Sequence, residues 1–316
     1  MLNPNWTTDS LPDLRGRSYV VTGANRGLGF EVARALATNH AAVTLAVRDP
    51  WRGAAALEAI RVAVPGAILE LGEVDLASLV SVEHFVREYA RRHNRLDCLV
   101  NNAAVIMVPQ GVTADGFELH WGVNHLGHFA LSAGLMPLLL AARSPRVVTV
   151  TSLLARWGVV RPGSSGPARR YRPTGAYATS KLANLIFSLE LNRRAVAADL
   201  PLLSLAAHPG YVRTPPGDRE LGPAGSAASA SWPDPRSWLS QGVKAGAWPI
   251  LLAAAAPDVQ GGGFYGPGGM LGTRGHPQLS KLPSRAVGEA IGPPLWRNAE
   301  ASCGLAFQIA GSASSG

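Results

Sequence analysis

The sequence predicts an α/β fold built on a doubly wound parallel sheet. Two observations carry that expectation. Short apolar runs alternate with amphipathic stretches over the first hundred residues, and glycine-rich or polar residues follow each run. Those polar residues fall at the carboxyl ends of the predicted strands, where parallel sheets gather ligand-binding groups.

Taken in order, Ser18 to Val21 is the first apolar run and stops at Thr22-Gly23. It reads as a buried strand. Thr-Gly-Ala-Asn-Arg-Gly-Leu-Gly, residues 22–29, then opens a stretch with apolar Phe30, Val32, Ala33 and Leu36. Strand, glycine turn and helix start in that order form the phosphate-binding unit of Rossmann-type dinucleotide folds. Gly23, Gly27 and Gly29 let the backbone turn tightly and approach a pyrophosphate. Thr22, Asn25, Arg26 and Leu28 complete the candidate cofactor contacts here. The spacing is G-x-x-x-G-x-G, not the commoner G-x-G-x-x-G.

Ala42 to Val47 reads as a second strand, followed by Arg48 and Asp49. Many NAD sites place a carboxylate at this strand end to bond the adenosine ribose. Arg48 and Arg26 instead suit a ribose 2′-phosphate, so NADP is expected over NAD. Asp49 would take the ribose position if the strand ended two residues later. A helix over 51–63 and a strand from Ala67 to Leu71 follow, and then Asp75-Leu76, both cofactor-binding candidates. A helix from Ser78 to His93 precedes a fourth strand, Leu96 to Val100, and the sequence Asn101-Asn102-Ala103-Ala104.

A helix around Asp115 to Phe129 contains Asn124, and a fifth strand, Arg146 to Thr151, ends at Ser152. Residues 156–173 read as a loop. The next helix, running to about Ala198, carries Tyr177 and Lys181, and Leu202 to Ala206 is a sixth strand ending at His208-Pro209-Gly210. Residues 213–240, dominated by Pro, Gly, Ala and Ser, read as a flap. A helix from Gln241 to Ala256 and a strand near Phe264-Tyr265 close a seven-stranded parallel sheet with helices on both faces. The core of this single-domain fold is expected over about 15–275, with a frayed tail over about 297–316.

Tyr177-Ala-Thr-Ser-Lys181 stands out chemically. The chain has only three lysines, and a Tyr-x-x-x-Lys would arise by chance about 0.06 times in this composition. On a helix the phenol and the ammonium share a face, and a cation beside a phenol lowers its pKa toward neutrality. That suits a general acid and base.

Taken together, Thr22-Gly23-x3-Gly27-x-Gly29, Asn101-Asn102-Ala103-Ala104, Asn124, Ser152, Tyr177-x3-Lys181 and Pro209-Gly210 resemble the short-chain dehydrogenase/reductase family. The resemblance covers roughly residues 15–275. Val-Asn-His-Leu-Gly-His-Phe, Gly-Phe-Tyr-Gly-Pro and the 25-residue gap between Ser152 and Tyr177 are similar to the subgroup of retinol dehydrogenases and protochlorophyllide reductase relatives. The resemblance implies an NADP-dependent alcohol/carbonyl oxidoreductase in which Tyr177 transfers the proton, Ser152 polarises the oxygen, Lys181 lowers the Tyr177 pKa and holds the nicotinamide ribose, and Asn124 anchors a relay water. It also implies cofactor contacts from Asn102, Ala103, Ala104, Pro209, Gly210 and Thr214. Reduction of a carbon–carbon double bond and a catalytically silent dinucleotide sensor stay open as alternatives.

Composition narrows the rest. A chain of 316 residues with 47% hydrophobic and 16% charged residues suits a large core rather than a disordered chain. The net charge of +8 is spread without a basic tract, so nucleic-acid binding is not expected. Two cysteines leave neither a disulfide framework nor a cysteine metal site in prospect, and no metal is expected. No signal segment or membrane span is expected. The expectation is a cytoplasmic enzyme acting on a small molecule, with a homo-oligomer left open. Leu153, Trp157, Tyr211, Trp232 and Trp238 are the candidate walls of its substrate pocket. The arginines at 156, 161, 169, 170 and 172 read either as an acidic-substrate contact or as a solvated loop.

Overall fold

The computed structural model describes residues 3–161, 171–213, 240–288 and 290–309. Its first half alternates β1 (Ser18–Thr22), α1 (Gly27–Thr38), β2 (Ala42–Val47), α2 (Pro50–Ala63), β3 (Ile68–Glu73), α3 (Leu79–Arg92) and β4 (Cys98–Asn101). Next, α4 (Leu119–Trp121) runs through a π turn (Gly122–Leu126) into α5 (Gly127–Leu140). Then come β5 (Arg146–Val150), α6 (Pro173–Ala197), β6 (Leu203–Ala207), α7 (Val243–Ala255), β7 (Phe264–Pro267), β8 (Pro277–Leu279) and α8 (Gly292–Cys303).

The strands form one sheet in the order β3-β2-β1-β4-β5-β6-β7-β8. Strands β1 to β7 pair in parallel, as the strand–helix alternation requires. The expected count of seven is corrected to eight among the described residues, because β8 returns antiparallel on β7 through a short loop closed by Gly268 N–H to His276 O, 2.8 Å, and Gly269 N–H to Arg274 O, 2.9 Å. Chain order reverses on either side of β1, which opens a crevice at the carboxyl ends of β1 and β4.

Side chains alternate across the sheet and bury on both faces. Tyr19, Val21, Cys98, Val100 and Val148 face a core completed by α1, α2 and α7. Val20, Leu99 and Val147 face a second core with α3, α5, α6 and α8. The run Leu119–Leu140 is long and apolar enough to cross a membrane by length and composition, and 67% of its most apolar window is buried inside this fold.

Two expectations are corrected, at the carboxyl-terminal end and mid-chain. The tail is not frayed over 297–309. Helix α8 starts at Gly292-Pro-Pro and stops at Gly304, which adopts the left-handed conformation that glycine tolerates. Its Trp296 packs in an aromatic group with Phe129, Phe187 and Phe307. Residues 310–316 lie outside the described residues. The helix expected over 115–129 begins later, at Leu119, where the Glu118 carboxylate caps the free N–H groups of His120 and Trp121.

Candidate active site

The site grows from the crevice at β1 and β4. Thr22 ends β1 fully buried, and its Oγ1 accepts hydrogen bonds from Asn102 N and Ala103 N, each 2.9 Å. A hydroxyl has two acceptor positions and one proton. Its nearest remaining acceptor is His128 Nε2, 2.9 Å away, against 3.4 Å for Val100 O, so the proton goes to the ring. His128 Nδ1–H then donates to Asn124 O at 3.0 Å. Burial drives His128 to a pKa of about 3, so a neutral ring serves this bridge. One chain of bonds therefore ties the glycine turn, the loop after β4 and the π turn together. The sequence reading gave His128 no role, although it lies in the stretch Val-Asn-His-Leu-Gly-His-Phe that carries part of the family resemblance.

The glycines follow from space and dihedral. Gly23 has φ +66° and a Cβ there would sit 3.0 Å from Ala103 Cα. A Cβ on Gly29 would lie against Gly23 O and 2.5 Å from Asn102 Nδ2, which itself donates to Thr22 O at 2.7 Å. Gly27, φ +55°, opens α1 directly after β1, and the N-cap residue Arg26 makes no side-chain cap hydrogen bond to that helix. Such an amino end suits a phosphate. Asn25, Arg26 and Leu28 complete this turn, with Leu28 packed on the core.

Arg48 is exposed directly after β2. Strand β2 ends at Val47 as the sequence indicates, and Asp49 caps α2 by accepting Trp51 N and Arg52 N at 3.0 and 3.1 Å. Asp49 is thereby committed to the helix. Asp75 follows β3 and accepts Ala77 N at 2.9 Å, while Leu76 packs its carbonyl against Gly127. Ala104 follows Ala103 in the loop after β4.

Asn124 sits in the π turn, a distortion often found at functional sites. Its Nδ2 donates to Val105 O and Ser180 Oγ, both 3.0 Å, and its Oδ1 accepts Val105 N at 2.8 Å. Both amide protons are thus spent on holding the loop after β4 to α6. Ser180 Oγ in turn donates to Tyr177 O at 2.8 Å.

Ser152 follows β5 and caps a 3₁₀ turn, Leu153–Trp157, accepting Leu154 N at 3.2 Å. Its hydroxyl lies near enough to the Tyr177 phenol to act on that phenol's pKa. Tyr177 and Lys181 lie one turn apart on α6, both buried, with Lys181 Nζ 6.0 Å from the phenol ring centre. Lys181 donates to Val150 O at 2.8 Å, and burial lowers its pKa to about 7. The expected lowering of Tyr177 is corrected: burial pushes the phenol up, and the Ser152 hydroxyl opposes it only in part. His120, edge-on to Tyr177 with ring centres 6.3 Å apart, is a neighbour that sequence reasoning missed.

A cavity of about 290 Å³ opens at Ser152, lined by Leu153, Arg156, Phe264, Lys281, Leu282 and Pro283. Of the expected pocket walls, Leu153 lines it. Trp157 and Tyr211 are exposed at 63% and 45% and do not. Thr214, Trp232, Trp238 and the arginines at 169 and 170 lie outside the described residues. His208, Pro209 and Gly210 follow β6. Gly210 has φ +71° and no room for a Cβ against Thr273 O, and Gln241 Nε2 holds Pro209 O at 2.7 Å.

The sequence model of the short chain dehydrogenase family matches residues 17–220. Polyprenol dehydrogenase of Mus musculus is 39% identical over 261 residues, 81% of this chain and 76% of that protein. Retinol dehydrogenase 12 of Homo sapiens is 39% identical over 201 residues, 64% of this chain and 63% of the relative. Among solved structures, an uncharacterized protein from Mycobacterium paratuberculosis superposes with a TM-score of 0.79 at 37% identity, covering 96% of this chain and 99% of that one. A short chain dehydrogenase from Escherichia coli CFT073, complexed with NADPH, gives 0.52 at 25% identity over 64% of this chain and 80% of that one.

Proposed function

The chain belongs to the short chain dehydrogenase family, and from that premise we propose that it is an NADP-dependent oxidoreductase interconverting a carbonyl and an alcohol on a lipophilic small molecule. The observation that carries this reading is the grouping of three residues: Ser152 lines the cavity, and buried Tyr177 and Lys181 lie one turn apart on α6, with the Ser152 hydroxyl acting on the phenol. A phenol pushed up by burial stays protonated at neutral pH, which is the form that donates a proton to a carbonyl oxygen.

When bound, the reduced nicotinamide supplies a hydride to the carbonyl carbon. The chain's own residues do the rest. The first turn of α1 and the glycines at 23, 27 and 29 bind the pyrophosphate. Arg48 and Arg26 hold the 2′-phosphate, a reading supported by the commitment of Asp49 to its helix cap. Asn102, Ala103, Ala104, Asp75 and Leu76 border the adenosine side, and Pro209 and Gly210 the nicotinamide side. Ser152 donates a hydrogen bond to the substrate oxygen as charge develops there. Tyr177 gives that oxygen its proton. Lys181, close to half-charged at pH 7, stabilises the phenolate left behind. Asn124 positions α6 and the loop after β4. The retinol and polyprenol dehydrogenase relatives and the apolar walls Leu153, Phe264, Leu282 and Pro283 support a lipophilic substrate.

Tyr177→Phe tests the assignment. Turnover of aldehydes with NADPH should fall by about a thousandfold or more, within the range of a lost general acid, while NADPH binding is retained. Near-normal turnover would refute the role.

A further inference from the structure

We propose that the cavity at Ser152 is selective for carbonyl substrates that also carry an anionic group, a carboxylate or a phosphate, which Arg156 and Lys281 bind. This substrate class rests on the carbonyl-reductase reading of the same site.

The cavity joins two stretches that meet only in the fold. One is the 3₁₀ turn after β5, which brings Ser152, Leu153 and Arg156. The other is Phe264 of β7 with Lys281, Leu282 and Pro283 after β8. Both stretches are cationic and lack carboxylates entirely. No Asp or Glu occurs between Glu118 and Glu190, or between Asp258 and Glu289, whereas Arg156, Arg161, Arg274, Lys281 and Arg285 all lie within these two spans. Lys281 is one of only three lysines in the chain.

Several arginines elsewhere on the surface are paired with nearby carboxylates. Arg34 pairs with Glu31, and Arg193 and Arg194 with Glu190. A more open hollow of about 650 Å³, at the amino ends of the strands, is also rich in arginine. There Arg91, Arg92 and Arg95 each meet a carboxylate, on Glu88, Glu70 and Asp97. The two cations of the Ser152 cavity differ from these pairs. Among the described residues neither Arg156 nor Lys281 has an ion pair, and the contact of Arg156 is with the face of Trp157, 5.5 Å from its ring centre.

His208 lies beside this cavity and does not add charge. Its Nδ1 accepts Gly210 N at 3.3 Å, and burial together with the nearby Arg156 holds its pKa at about 4. The lining is therefore four apolar side chains, the Ser152 hydroxyl and two cations without an ion pair among the described residues. That composition matches a molecule with an apolar body, a reacting oxygen and a negative group. At about 290 Å³ the space suits a body the size of one ring. A concave site of one charge sign also concentrates oppositely charged substrate, an effect that weakens with salt.

The test uses full-length enzyme with NADPH and three matched aldehydes: benzaldehyde, 4-carboxybenzaldehyde and 4-formylphenyl phosphate. Each exposed cation is worth up to about fivefold, so the anionic aldehydes should exceed benzaldehyde in kcat/KM by about tenfold or more at low salt. The ratio should shrink toward one at high salt and in the Arg156→Ala/Lys281→Ala double variant, with the change in KM. The two anionic arms separate carboxylate from phosphate as the preferred group. Equal kcat/KM for neutral and anionic aldehydes in the wild type, or a ratio that survives the double substitution, overturns the proposal and leaves the reductase reading standing. If no aldehyde is reduced, the reductase reading fails, and calorimetric binding of benzoate against benzamide to the NADPH-loaded enzyme decides the anion site. Benzoate should bind about tenfold more tightly and lose that margin in the double variant; equal affinities overturn the proposal. NADPH affinity and thermal unfolding of the double variant check that it is folded.

Discussion

Replacing Lys181 by Met probes the electrostatics of the site most directly. Lys181 is fully buried, has no carboxylate partner among the described residues and spends a proton on Val150 O. Burial takes its pKa from 10.5 to about 7. Below pH 7 the ammonium is charged in both folded and unfolded chains, and the full cost of burying it is present. Between pH 7 and 10.5 the unfolded chain holds the proton and the folded chain releases it. The unfolded state then binds more protons, so stability rises with pH across that window. Each tenfold loss of proton affinity corresponds to about 1.4 kcal/mol, which caps the cost at about 5 kcal/mol. The lost hydrogen bond to Val150 O returns about 1 kcal/mol in the other direction. In the cofactor-free state Lys181→Met should therefore be more stable than wild type at pH 6 by a few kcal/mol, and the margin should close as pH rises toward 10. With an unfolding entropy of about 2.1 cal/mol/K per residue, the difference in melting temperature should narrow by about 2 °C per pH unit. Thermal scans of both proteins at half-unit steps read this directly, and subtracting the curves removes the other titrating groups. A difference that stays flat from pH 6 to 10, or grows with pH, would refute the buried-cation argument. The same variant should lose turnover, so stability and activity move in opposite directions.

Three further substitutions test the cofactor side. Arg48→Ala should weaken NADPH binding about ten- to hundredfold, the worth of a lost charge-assisted contact, while NADH binding changes little; equal losses in fluorescence titrations would count against the 2′-phosphate assignment. Gly29→Ala places a methyl against Gly23 O and Asn102 Nδ2, so it should cost about 1–3 kcal/mol of stability and abolish NADPH binding, as denaturant melts and titration would show. Thr22→Val keeps the shape of a fully buried side chain but strands Asn102 N, Ala103 N and the His128 ring. A loss of roughly 2–4 kcal/mol is expected from two or more unpaired buried groups; a neutral result in denaturant melts would show that the bonds carry little weight.

Much of this arrangement is legible in the sequence because it is local. A parallel strand is an unbroken apolar run, so β2 is bounded correctly at Ala42 and Val47, and that boundary is what separates Arg48 from the capping Asp49. The glycine turn and the Tyr177–Lys181 spacing are likewise contained within single elements. The features that stay hidden lack a local period. Strand β8 has three residues, includes a proline and exposes Gln278 and Leu279. The π turn at Gly122–Leu126 leaves no mark on an apolar helix that reads the same with or without it. Helix α8 does carry signals, Pro-Pro at its start and Gly304 at its end, but its polar composition outweighs them. Lys281 and Leu282 reach the cavity of Ser152 only through the β7–β8 hairpin, and Thr22 meets His128 across 106 residues.

Tyr177 and Lys181 also show where spacing stops informing chemistry. A cation four residues after a phenol, on one helical face, favours a lowered tyrosine pKa. Spacing fixes the direction of that pairwise field and is silent about the medium. In the fold both groups are buried, at 7% and 1% exposure, and desolvation penalises each charged form separately. It raises Tyr177 and lowers Lys181, bringing a neutral acid and a half-protonated base to the same end of α6 at neutral pH. The pair then resembles a proton store more than a standing ion pair. Lys181 already carries its charge about half the time at pH 7, whereas charge on the phenol becomes favourable only when further positive charge enters the site. On the proposed reading this couples the readiness of the phenol to give up its proton to the binding of a cofactor and of a substrate oxygen at Ser152.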